Sequence, residues 1–401
     1  MNASSAPAPQ PRTASASASA SAPATTTAPA PATASTTAIA PEIAPAPALR
    51  WAIVGPGRIA HRFAQAVQAL PGARLVAVHG RSAARATAFA QQWQPAVKAD
   101  AELLVMPTLE ALVHSPDVDA VYVATPHSHH SEPVLASLRA GKPVLCEKSL
   151  VASAALAEPL LALSRSRQVF LMEALWTRFL PLYAQLGAWL RGGAIGPLRA
   201  VHSSLCFAPP FDPASRLFNP ALAGGALLDL GVYNLSVLRW VMQQATGTAP
   251  GAGPEPGSQA HGTPEPTSWH IRGQLAPSGV DLRVAGLLGF ADGVTATFRC
   301  ALDSRSANAL HIEGRDGHIV LPHDFWQATH AELHRADAPV ELADAPFAIN
   351  GFEGQIDEAT RCIRAGLFES PMMPHAETLA TLRWMDRMRS ELGVRYPFEN
   401  L

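Results

Sequence analysis

The feature that most constrains the fold is a glycine turn between an apolar strand and a helical pattern, in LRWAIVGPGRIAHRFAQAVQAL. The strand covers residues 49–54, and Gly55, Pro56 and Gly57 end it. Apolar residues then recur at three- and four-residue spacing, which predicts a helix with one buried face. The residues predicted on that face are Ile59, Phe63, Val67 and Leu70. A strand that passes through a tight turn into a helix is typical of a βαβ unit in a parallel sheet.

Strand and helix patterns alternate from this turn to about residue 170. Segments such as RLVAVHG, DAVYVA and KPVLCE have the length and apolar content of buried parallel strands. After a further strand, QVFLMEA, the period changes to two, and alternating strands such as DLRVAGLLGF surround one helix at 226–242. The sequence predicts an α/β, Rossmann-like parallel-sheet domain at 49–170. It predicts an α+β domain with a broad, mainly antiparallel open sheet at 171–401.

Two segments are predicted to lie outside these cores. Residues 1–48 are almost entirely Ala, Ser, Thr and Pro, so they bury too little apolar surface to fold and predict a disordered tail. The tail lacks the basic start and compact apolar core of a signal peptide, and an early start codon explains it equally well. Residues 244–267 are rich in Gly and Pro and predict a long mobile loop.

Composition argues against several classes of protein. Hydrophobic residues make up 48% of the 401 residues, charged residues make up 15%, and the formal net charge is -2. Because no block of Lys and Arg is present, we expect no nucleic-acid binding. Because no apolar run reaches about 18 residues, we expect no membrane span. The four cysteines lie far apart, without disulfide or metal-ligand spacing, so we expect a reduced, cytoplasmic protein.

The spacing Gly55-x-Gly57-x-x-Ala60 fits the pyrophosphate of a dinucleotide. The first glycine permits the tight turn, the second lets the backbone approach the phosphates, and the small third residue lets helix and strand pack closely. The helix that begins at Arg58 and Ile59 then directs its N-terminal N–H groups at the phosphates. Since the pattern follows a strand and precedes a helix, we expect a bound dinucleotide; a glycine turn without a ligand is the alternative.

The end of the second strand distinguishes two dinucleotides. NAD usually meets an Asp or Glu there, whose carboxylate binds the ribose 2′-hydroxyl. This chain instead reads VAVHGRSAAR, with Arg81 and Ser82 after the strand. A guanidinium beside a hydroxyl suits the 2′-phosphate of NADP through a forked, charge-assisted contact. We therefore expect NADP, with NAD as the alternative if Arg81 is only a solvated residue at the start of a helix.

Motifs further along the chain resemble those of a known family. The segment TPHSHHSEPVLASLRAGKPVLCEKSL carries Thr125-Pro126, His130, Ala140-Gly141-Lys142 and Glu147-Lys148. Together with FLMEALWTRFLP and GGALLDLGVYNL, it resembles the glucose–fructose oxidoreductase, inositol dehydrogenase and rhizopine-catabolism family (Gfo/Idh/MocA). Within it, the motifs are similar to those of dimeric dihydrodiol dehydrogenases and NADP-dependent D-xylose dehydrogenases. The resemblance covers about residues 49–401.

By this resemblance, Lys148 lies beside the nicotinamide and the reacting carbon. Two charges at the end of a buried strand are costly unless they are paired or used, and doubly wound folds bind ligands at that sheet edge. The resemblance also assigns to the cofactor side Thr125, Pro126, His127, His130 and Glu147. Glu147 is expected to hold or balance the lysine. In the family, a proline usually follows this lysine and would stiffen the turn, but this chain has Ser149 at that position.

Asp229 and Tyr233 are four residues apart and share one face of the predicted helix. A free phenol has a pKa near 10, and we expect Lys148 to lower it, since at ~4 Å and an effective dielectric of ~20 the attraction is about 4 kcal/mol. The resemblance implies that Tyr233 takes the hydroxyl proton, Lys148 stabilises the oxygen, and Asp229 orients the substrate or the lysine. The alternative is a core tyrosine and an aspartate that caps a turn.

Other residues carry weaker signals. Trp176 and Arg178 are predicted to be an aromatic wall and a hydrogen-bond donor for the substrate, or else a core residue and an inter-domain contact. The neighbouring His127, His129 and His130 have no carboxylate or cysteine at ligand spacing, so we predict no metal. They are expected to serve the nicotinamide side by hydrogen bonding, or to lie in solvent.

The sequence thus predicts an NADP-dependent dehydrogenase that acts on a hydroxyl of an aldose or another cyclic vicinal diol. An NAD-linked inositol or keto-sugar dehydrogenase is the alternative among enzymes. A non-catalytic NADP-sensing protein is the alternative of another class, and the presence of both Lys148 and Tyr233 argues against it. By the resemblance, the open sheet of the second domain forms a homodimer or higher homo-oligomer.

Overall fold

The structure, a computed structural model, describes residues 47–94, 102–246 and 263–400. The predicted tail at 1–48 therefore lies outside the described residues except for its last two positions. Of the predicted loop at 244–267, residues 247–262 also lie outside them. The chain after Ala46 forms one compact unit that contains two sheets.

The first sheet has six parallel strands and confirms the Rossmann-like architecture. Its strands are β1 (Leu49–Val54), β2 (Ala73–His79), β3 (Leu104–Val105), β4 (Ala120–Val123), β5 (Val144–Glu147) and β6 (Leu171–Ala174). The connecting helices are α1 (Arg58–Ala69), α2 (Ala83–Trp93), α3 (Leu109–Val113), α4 (Ser131–Arg139) and α5 (Ala154–Arg167). The strand order is β3-β2-β1-β4-β5-β6, so the direction of winding reverses between β1 and β4. A ligand crevice is expected at the carboxyl ends of these two strands.

The apolar residues predicted on α1 all pack against the core. Phe63 and Val67 are fully buried, together with the small Ala60. Ile59 and Leu70 are partly buried and pack against the same core, and Leu70 is the C-cap of the helix rather than a residue within it.

The parallel sheet extends slightly beyond the predicted domain boundary. Strand β6 pairs with β5, so the sheet continues to Ala174, four residues past the boundary placed at residue 170. Helix α6 (Pro181–Arg191) follows and was not predicted from the sequence. Its proline occupies the first helical turn, where the missing N–H costs nothing.

The second sheet has eight strands and confirms the predicted α+β half. Its strands are β7 (Leu198–Cys206), β8 (Ser268–Leu275), β9 (Asp281–Gly289), β10 (Thr295–Ala301), β11 (Leu310–Gly314), β12 (Gly317–Leu321), β13 (His330–Arg335) and β14 (Glu341–Asp344). The order is β14-β13-β12-β11-β7-β10-β9-β8, and all pairs are antiparallel except β7 with β10. Side chains alternate between buried and exposed, so one face packs inward and the other is open.

The helix predicted at 226–242 has two parts. Leu227–Gly231 is a π-helical turn, and α7 (Val232–Ala245) continues from it. The carboxylate of Asp281 accepts a hydrogen bond of 2.6 Å from the N–H of Leu227, which anchors the start of the turn. Segment Pro220–Ala245 is long and apolar enough to cross a membrane, but 89% of its window is buried inside the protein, as in a core helix. Two further helices, α8 (Glu353–Arg364) and α9 (His375–Leu392), complete the described fold.

Candidate active site

A cavity of about 910 Å³ opens at the carboxyl ends of β1, β4 and β5. Its walls come from both sheets and from the loops that follow their strands. The lining includes Gly55, Gly57, Arg58, Ile59, Arg62, Arg81, Ser82, Arg85, Thr125, Pro126, His127, Glu147, Lys148, Trp176, Phe207, Arg216, Asp229, Leu230, Tyr233 and Trp326. Most of the residues predicted for the site therefore share one cavity, although they are far apart in sequence.

The glycine turn is shaped for a close approach of another group. Gly55 has φ +95°, and a Cβ there would lie 2.8 Å from the backbone of Ala124 and Thr125, so only glycine fits. Gly57 is the N-cap of α1, has no side-chain cap, and would direct a Cβ into open space. The first turn of α1 contains no acidic residue. Exposed N–H groups without a competing carboxylate fit the phosphates of a dinucleotide.

The end of β2 carries basic and hydroxyl groups. Ser82 accepts a hydrogen bond of 3.3 Å from the N–H of Arg85 and so caps α2. Arg81 Nη1 donates to His129 Nε2 at 3.4 Å, and Arg85 lines the same part of the cavity. β2 ends at His79, and Gly80, Arg81 and Ser82 follow it without a carboxylate. This set fits a 2′-phosphate better than a free 2′-hydroxyl.

Lys148 projects from the end of β5 and contacts the π-helical turn. Its Nζ donates to the backbone oxygen of Asp229 at 2.7 Å and lies 3.3 Å from Asp229 Oδ1. The same Nζ lies 4.9 Å from the centroid of the Tyr233 ring. The three residues predicted to be catalytic are thus in contact, with the ammonium between the carboxylate and the ring.

Arg216 adds a second cation to this group. Its Nη1 donates to Asp229 Oδ1 at 2.7 Å, so one carboxylate faces two cations. Burial raises the pKa of Asp229, but Lys148 and Arg216 outweigh burial and hold that pKa well below its ordinary value. Burial lowers the pKa of Lys148, but Asp229 and Tyr233 outweigh it and raise that pKa. Both groups are therefore charged at neutral pH.

Glu147 contacts Lys148 through the backbone, and the closest partner of its carboxylate is the hydroxyl of Tyr122. Its Oε1 accepts a hydrogen bond of 2.5 Å from Tyr122 Oη, and its Oε2 accepts one of 3.3 Å from the backbone N–H of Lys148. Burial raises the pKa of Glu147 in spite of these bonds. The carboxylate that meets the ammonium of Lys148 belongs to Asp229, because the side chain of Glu147 turns back toward β4.

The phenol of Tyr233 differs electrostatically from the prediction. Burial raises its pKa, Lys148 lowers it, and the net pKa lies above the ordinary value. The expected lowering by Lys148 is present but smaller than the effect of burial. Trp176 Nε1 donates to Tyr233 Oη at 3.0 Å, and within the described chain no residue accepts the phenol's own proton. The O–H of Tyr233 is thus available to a ligand.

Two histidines of the 127–130 segment contact the backbone around Lys148. His127 Nδ1 lies 3.1 Å from the Ala223 carbonyl and its Nε2 lies 3.2 Å from the Lys148 carbonyl. Burial lowers the pKa of His127 to about 3, so the neutral ring donates to one of these two carbonyls. His130 is fully buried and contacts the carbonyls of Ser149 and Thr125 at 3.0 and 2.7 Å. His130 therefore does not line the cavity, unlike His127.

No group of three or more His, Cys, Asp or Glu that could hold a metal ion occurs among residues 47–94, 102–246 and 263–400. The absence of a metal stays a prediction.

The two weaker candidates have different positions. Trp176 lines the cavity beside Tyr233. Arg178 is buried away from it, where its guanidinium contacts Glu377 at 3.3 Å and the Ser236 hydroxyl at 3.1 Å. The predicted substrate contact of Arg178 does not fit this position, and the alternative of a structural contact does.

Several cavity residues were missed from the sequence. They are Arg62, Arg85, Arg216, Phe207, Leu230 and Trp326. Arg85 lies in the first turn of α2, so a second cation at the start of the helix predicted after β2 could have indicated it. Leu230 follows Asp229 in the π-helical turn, and Arg62 lies in the second turn of α1. Phe207, Arg216 and Trp326 lie between the named strands and helices, where no local pattern points to the cavity.

Comparison with known proteins agrees with this geometry. The sequence model described as an oxidoreductase family with an NAD-binding Rossmann fold, Gfo/Idh/MocA, matches residues 49–175. The model of the Gfo/Idh/MocA C-terminal domain matches residues 183–320. The chain belongs to the Gfo/Idh/MocA oxidoreductase family.

Named relatives of this Gfo/Idh/MocA oxidoreductase include trans-1,2-dihydrobenzene-1,2-diol dehydrogenases. The Mus musculus enzyme is 33% identical over 358 residues, covering 87% of this chain and 98% of its own. The Homo sapiens enzyme is 31% identical over 357 residues, with the same coverage.

Solved structures include an aldose-aldose oxidoreductase from Caulobacter crescentus complexed with glycerol, with a TM-score of 0.71 and 25% identity. It covers 86% of this chain and 98% of its own. A 3-ketoreductase from Actinomadura kijaniata, in complex with NADP and TDP-benzene, has a TM-score of 0.70 and 25% identity. It covers 86% of this chain and 97% of its own.

Proposed function

We propose that this oxidoreductase uses NADP to transfer a hydride to or from the carbon of a hydroxyl group in a sugar or cyclic vicinal diol. The observation that carries the proposal is the convergence of the Lys148 ammonium and the Tyr233 phenol in one cavity. The glycine turn at Gly55 and Gly57 opens into the same cavity. A cation and a proton donor beside a dinucleotide site are the groups that hydride transfer at a carbinol carbon requires.

The cofactor would be held by groups at one end of the cavity. The N–H groups at the start of α1 would bind the pyrophosphate, and Arg81, Ser82 and Arg85 would bind the 2′-phosphate. The 3-ketoreductase from Actinomadura kijaniata binds NADP, which supports the same choice here. When bound, NADP supplies or accepts the hydride, and the protein manages the accompanying proton.

Tyr233 would handle that proton. Its phenol oxygen accepts from Trp176, so its own O–H is directed elsewhere and can donate to a substrate oxygen. Because its pKa is raised, the phenol keeps its proton at neutral pH, which suits protonation of a carbonyl oxygen during reduction. In oxidation the transfer runs in reverse: the hydroxyl proton passes to the phenolate form of Tyr233, and the Lys148 ammonium stabilises the negative charge on the two oxygens during this transfer.

The substrate class is inferred from the relatives and from the cavity wall. Dihydrobenzene diols and aldoses both carry vicinal hydroxyls on a ring. Trp176, Phe207 and Trp326 give the wall aromatic surfaces against which such a ring can pack. Arg216 adds a hydrogen-bond donor for an oxygen beyond the reacting one.

A steady-state assay separates this proposal from its alternatives. The purified protein is given NADP⁺ or NAD⁺ with a panel of aldoses, trans-dihydrodiols and inositols, and NADPH or NADH with keto-sugars, and cofactor binding is measured by calorimetry in parallel. Turnover with NADP⁺ on an aldose or dihydrodiol supports the proposal. Preference for NAD⁺ with an inositol, or for NADH with a keto-sugar, favours the NAD-linked dehydrogenase, and binding without any turnover favours the non-catalytic sensor.

We also infer a homodimer formed through the open face of the second sheet, as the family resemblance implies. That face carries exposed apolar side chains, including Leu287 on β9 and Leu342 on β14, which are 42% and 59% exposed. Light scattering of the wild type and of Leu287→Glu tests the homodimer, since a charge on the face should favour the monomer.

The four cysteines are free and buried, which supports a reduced, cytoplasmic setting that cell fractionation can check.

A further inference from the structure

Arg62 occupies an unusual position for a helix residue of the dinucleotide-binding sheet. It lies on α1 one turn after Arg58, and its guanidinium is held by the backbone oxygen of Asn350, with bonds of 3.0 Å from Nε and 2.5 Å from Nη2. Asn350 in turn donates to the backbone oxygen of Arg62 at 2.9 Å. These reciprocal bonds join α1 to a loop 288 residues further along the chain.

The loop that holds Arg62 is itself rigid. The carboxylate of Glu353 accepts three backbone N–H bonds of 2.7 to 3.1 Å from residues 349–351. Gly351 has φ +89°, and a Cβ there would lie 2.7 Å from the ring of Trp176, so the loop packs closely against this indole. The loop thus holds the Arg62 guanidinium from the side that faces residues 349–351.

Trp176 connects the Arg62 guanidinium to Tyr233, because it contacts both side chains. Arg62 Cζ lies 4.3 Å from the centroid of the Trp176 ring, within the range of a cation–π contact. The same indole donates from Nε1 to Tyr233 Oη at 3.0 Å. Burial lowers the pKa of Arg62, while nearby Tyr233 acts in the opposite direction, which indicates that the two groups sense each other's charge.

We propose that Arg62 is a positioning residue for proton transfer: its guanidinium holds the Trp176 indole in the orientation that hydrogen-bonds the Tyr233 oxygen. The proposal rests on the proposed dehydrogenase function for its kinetic consequences. Its structural content, the coupling of Arg62 to the phenol through Trp176, is independent of the substrate. The positive charge of Arg62 also favours the ionised phenol over the neutral one.

The test is a double-mutant cycle between Arg62→Met and Trp176→Phe, with Arg62→Lys as the conservative variant. Gln65→Ala is the matched control, because Gln65 lies on the same helix and accepts from the same Asn350 amide at 3.0 Å without lining the cavity. For each variant, kcat, both KM values, the pH profile and the melting temperature are measured. The ionisation of Tyr233 is followed separately by near-ultraviolet difference titration against Tyr233→Phe.

We expect Arg62→Met to lower kcat about tenfold with the KM for NADP little changed, and to move the ionisation of Tyr233 to higher pH. In the double variant, the fold-decrease in kcat should be smaller than the product of the fold-decreases in the two single variants. Both substitutions are expected to act through the same hydrogen bond, from Trp176 to Tyr233. Arg62→Lys should restore the ionisation and part of kcat, and Gln65→Ala should match the wild type.

Multiplicative effects of the two substitutions, or an unmoved Tyr233 titration in Arg62→Met, would overturn the role of Arg62. The titration does not require turnover. A wild type without activity on any substrate therefore overturns the proposed function alone, while a fully active wild type with an unmoved titration overturns only the role of Arg62.

Discussion

The ammonium of Lys148 is bound by Asp229 although 81 positions separate the two residues. Its Nζ lies 2.7 Å from the backbone oxygen of Asp229 and 3.3 Å from the carboxylate. This contact joins the end of β5 in the parallel sheet to the π-helical turn ahead of α7. The position of the ammonium therefore depends on how the two halves of the chain pack.

Replacing Lys148 with Met should lower kcat by about 10²–10³-fold, because the charge that develops on the substrate oxygen loses its stabilising cation. The dissociation constant for NADP, measured by fluorescence quenching, should change only a few-fold, since the glycine turn and Arg81, rather than Lys148, are proposed to bind the phosphates. Arg139→Met, an exposed cation on α4, is the control. A kcat near that of the wild type would contradict a catalytic role for Lys148.

Tyr233→Phe should lower kcat by about 10²–10⁴-fold, because the proton donor is removed. In the wild type, burial raises the pKa of the phenol above that of a free tyrosine, so kcat for reduction should fall only at a pH beyond the range in which a free tyrosine ionises. The variant should lack this basic limb. Tyr183→Phe is the matched control, since the Tyr183 hydroxyl is buried against the Phe325 carbonyl outside the cavity. A retained basic limb in Tyr233→Phe would show that another group titrates.

Arg81→Ala should raise the KM for NADP⁺ by about 10–100-fold and leave that for NAD⁺ nearly unchanged, because a charge-assisted contact to the 2′-phosphate is worth about 1.5–3 kcal/mol. The ratio of kcat/KM for the two cofactors measures the change. Equal effects on both cofactors would instead indicate that Arg81 acts on the shape of the site rather than on the 2′-phosphate.

Asp229→Asn should destabilise the protein by about 3 kcal/mol at neutral pH, because two cations lose their shared buried carboxylate. The pKa of Asp229 is depressed in the folded state, so its contribution is fully present above the unfolded pKa of about 3.9 and is lost as the pH falls below it. Urea unfolding should therefore separate the variant from the wild type at pH near 7 and less at pH near 3. Asp316→Asn, at an exposed ion pair with Arg315, should leave the free energy of unfolding nearly unchanged at both pH values.

Ser149→Ala tests the residue that replaces the family's proline. The fully buried Ser149 hydroxyl donates to the Leu228 carbonyl at 3.1 Å, one residue before Asp229. Losing this bond should cost about 1–2 kcal/mol in unfolding free energy, since the carbonyl stays buried without that donor. We also expect a several-fold lower kcat, because this hydrogen bond joins the turn that carries Lys148 to the π-helical turn that carries Asp229. Ser166→Ala, at an exposed hydroxyl on α5, is the control for both measurements.

Local patterns in the sequence were sufficient for the fold class. Before residue 170, buried strands alternate with amphipathic helices, and after it the apolar residues have a period of two. These patterns indicate which faces of each element are buried, and parallel and antiparallel sheets differ in whether both faces or one face is buried. The glycine turn was equally local, because only glycine can adopt the backbone of Gly55 there. Helix α6 and the π-helical turn were missed, since short-range patterns do not reveal a widened turn.

The electrostatics of the site were decided by tertiary structure. Three features depend on distances between elements that are remote in sequence. They are the choice of Asp229 as the carboxylate beside Lys148, the dominance of burial over the ammonium in the pKa of Tyr233, and the entry of Arg62 and Arg216 into the cavity. Charge interactions and desolvation vary with those distances and with burial, neither of which a residue's sequence neighbours specify. The sequence by itself determined the architecture and the chemical groups, and the packing of the two halves determined which of those groups act on one another.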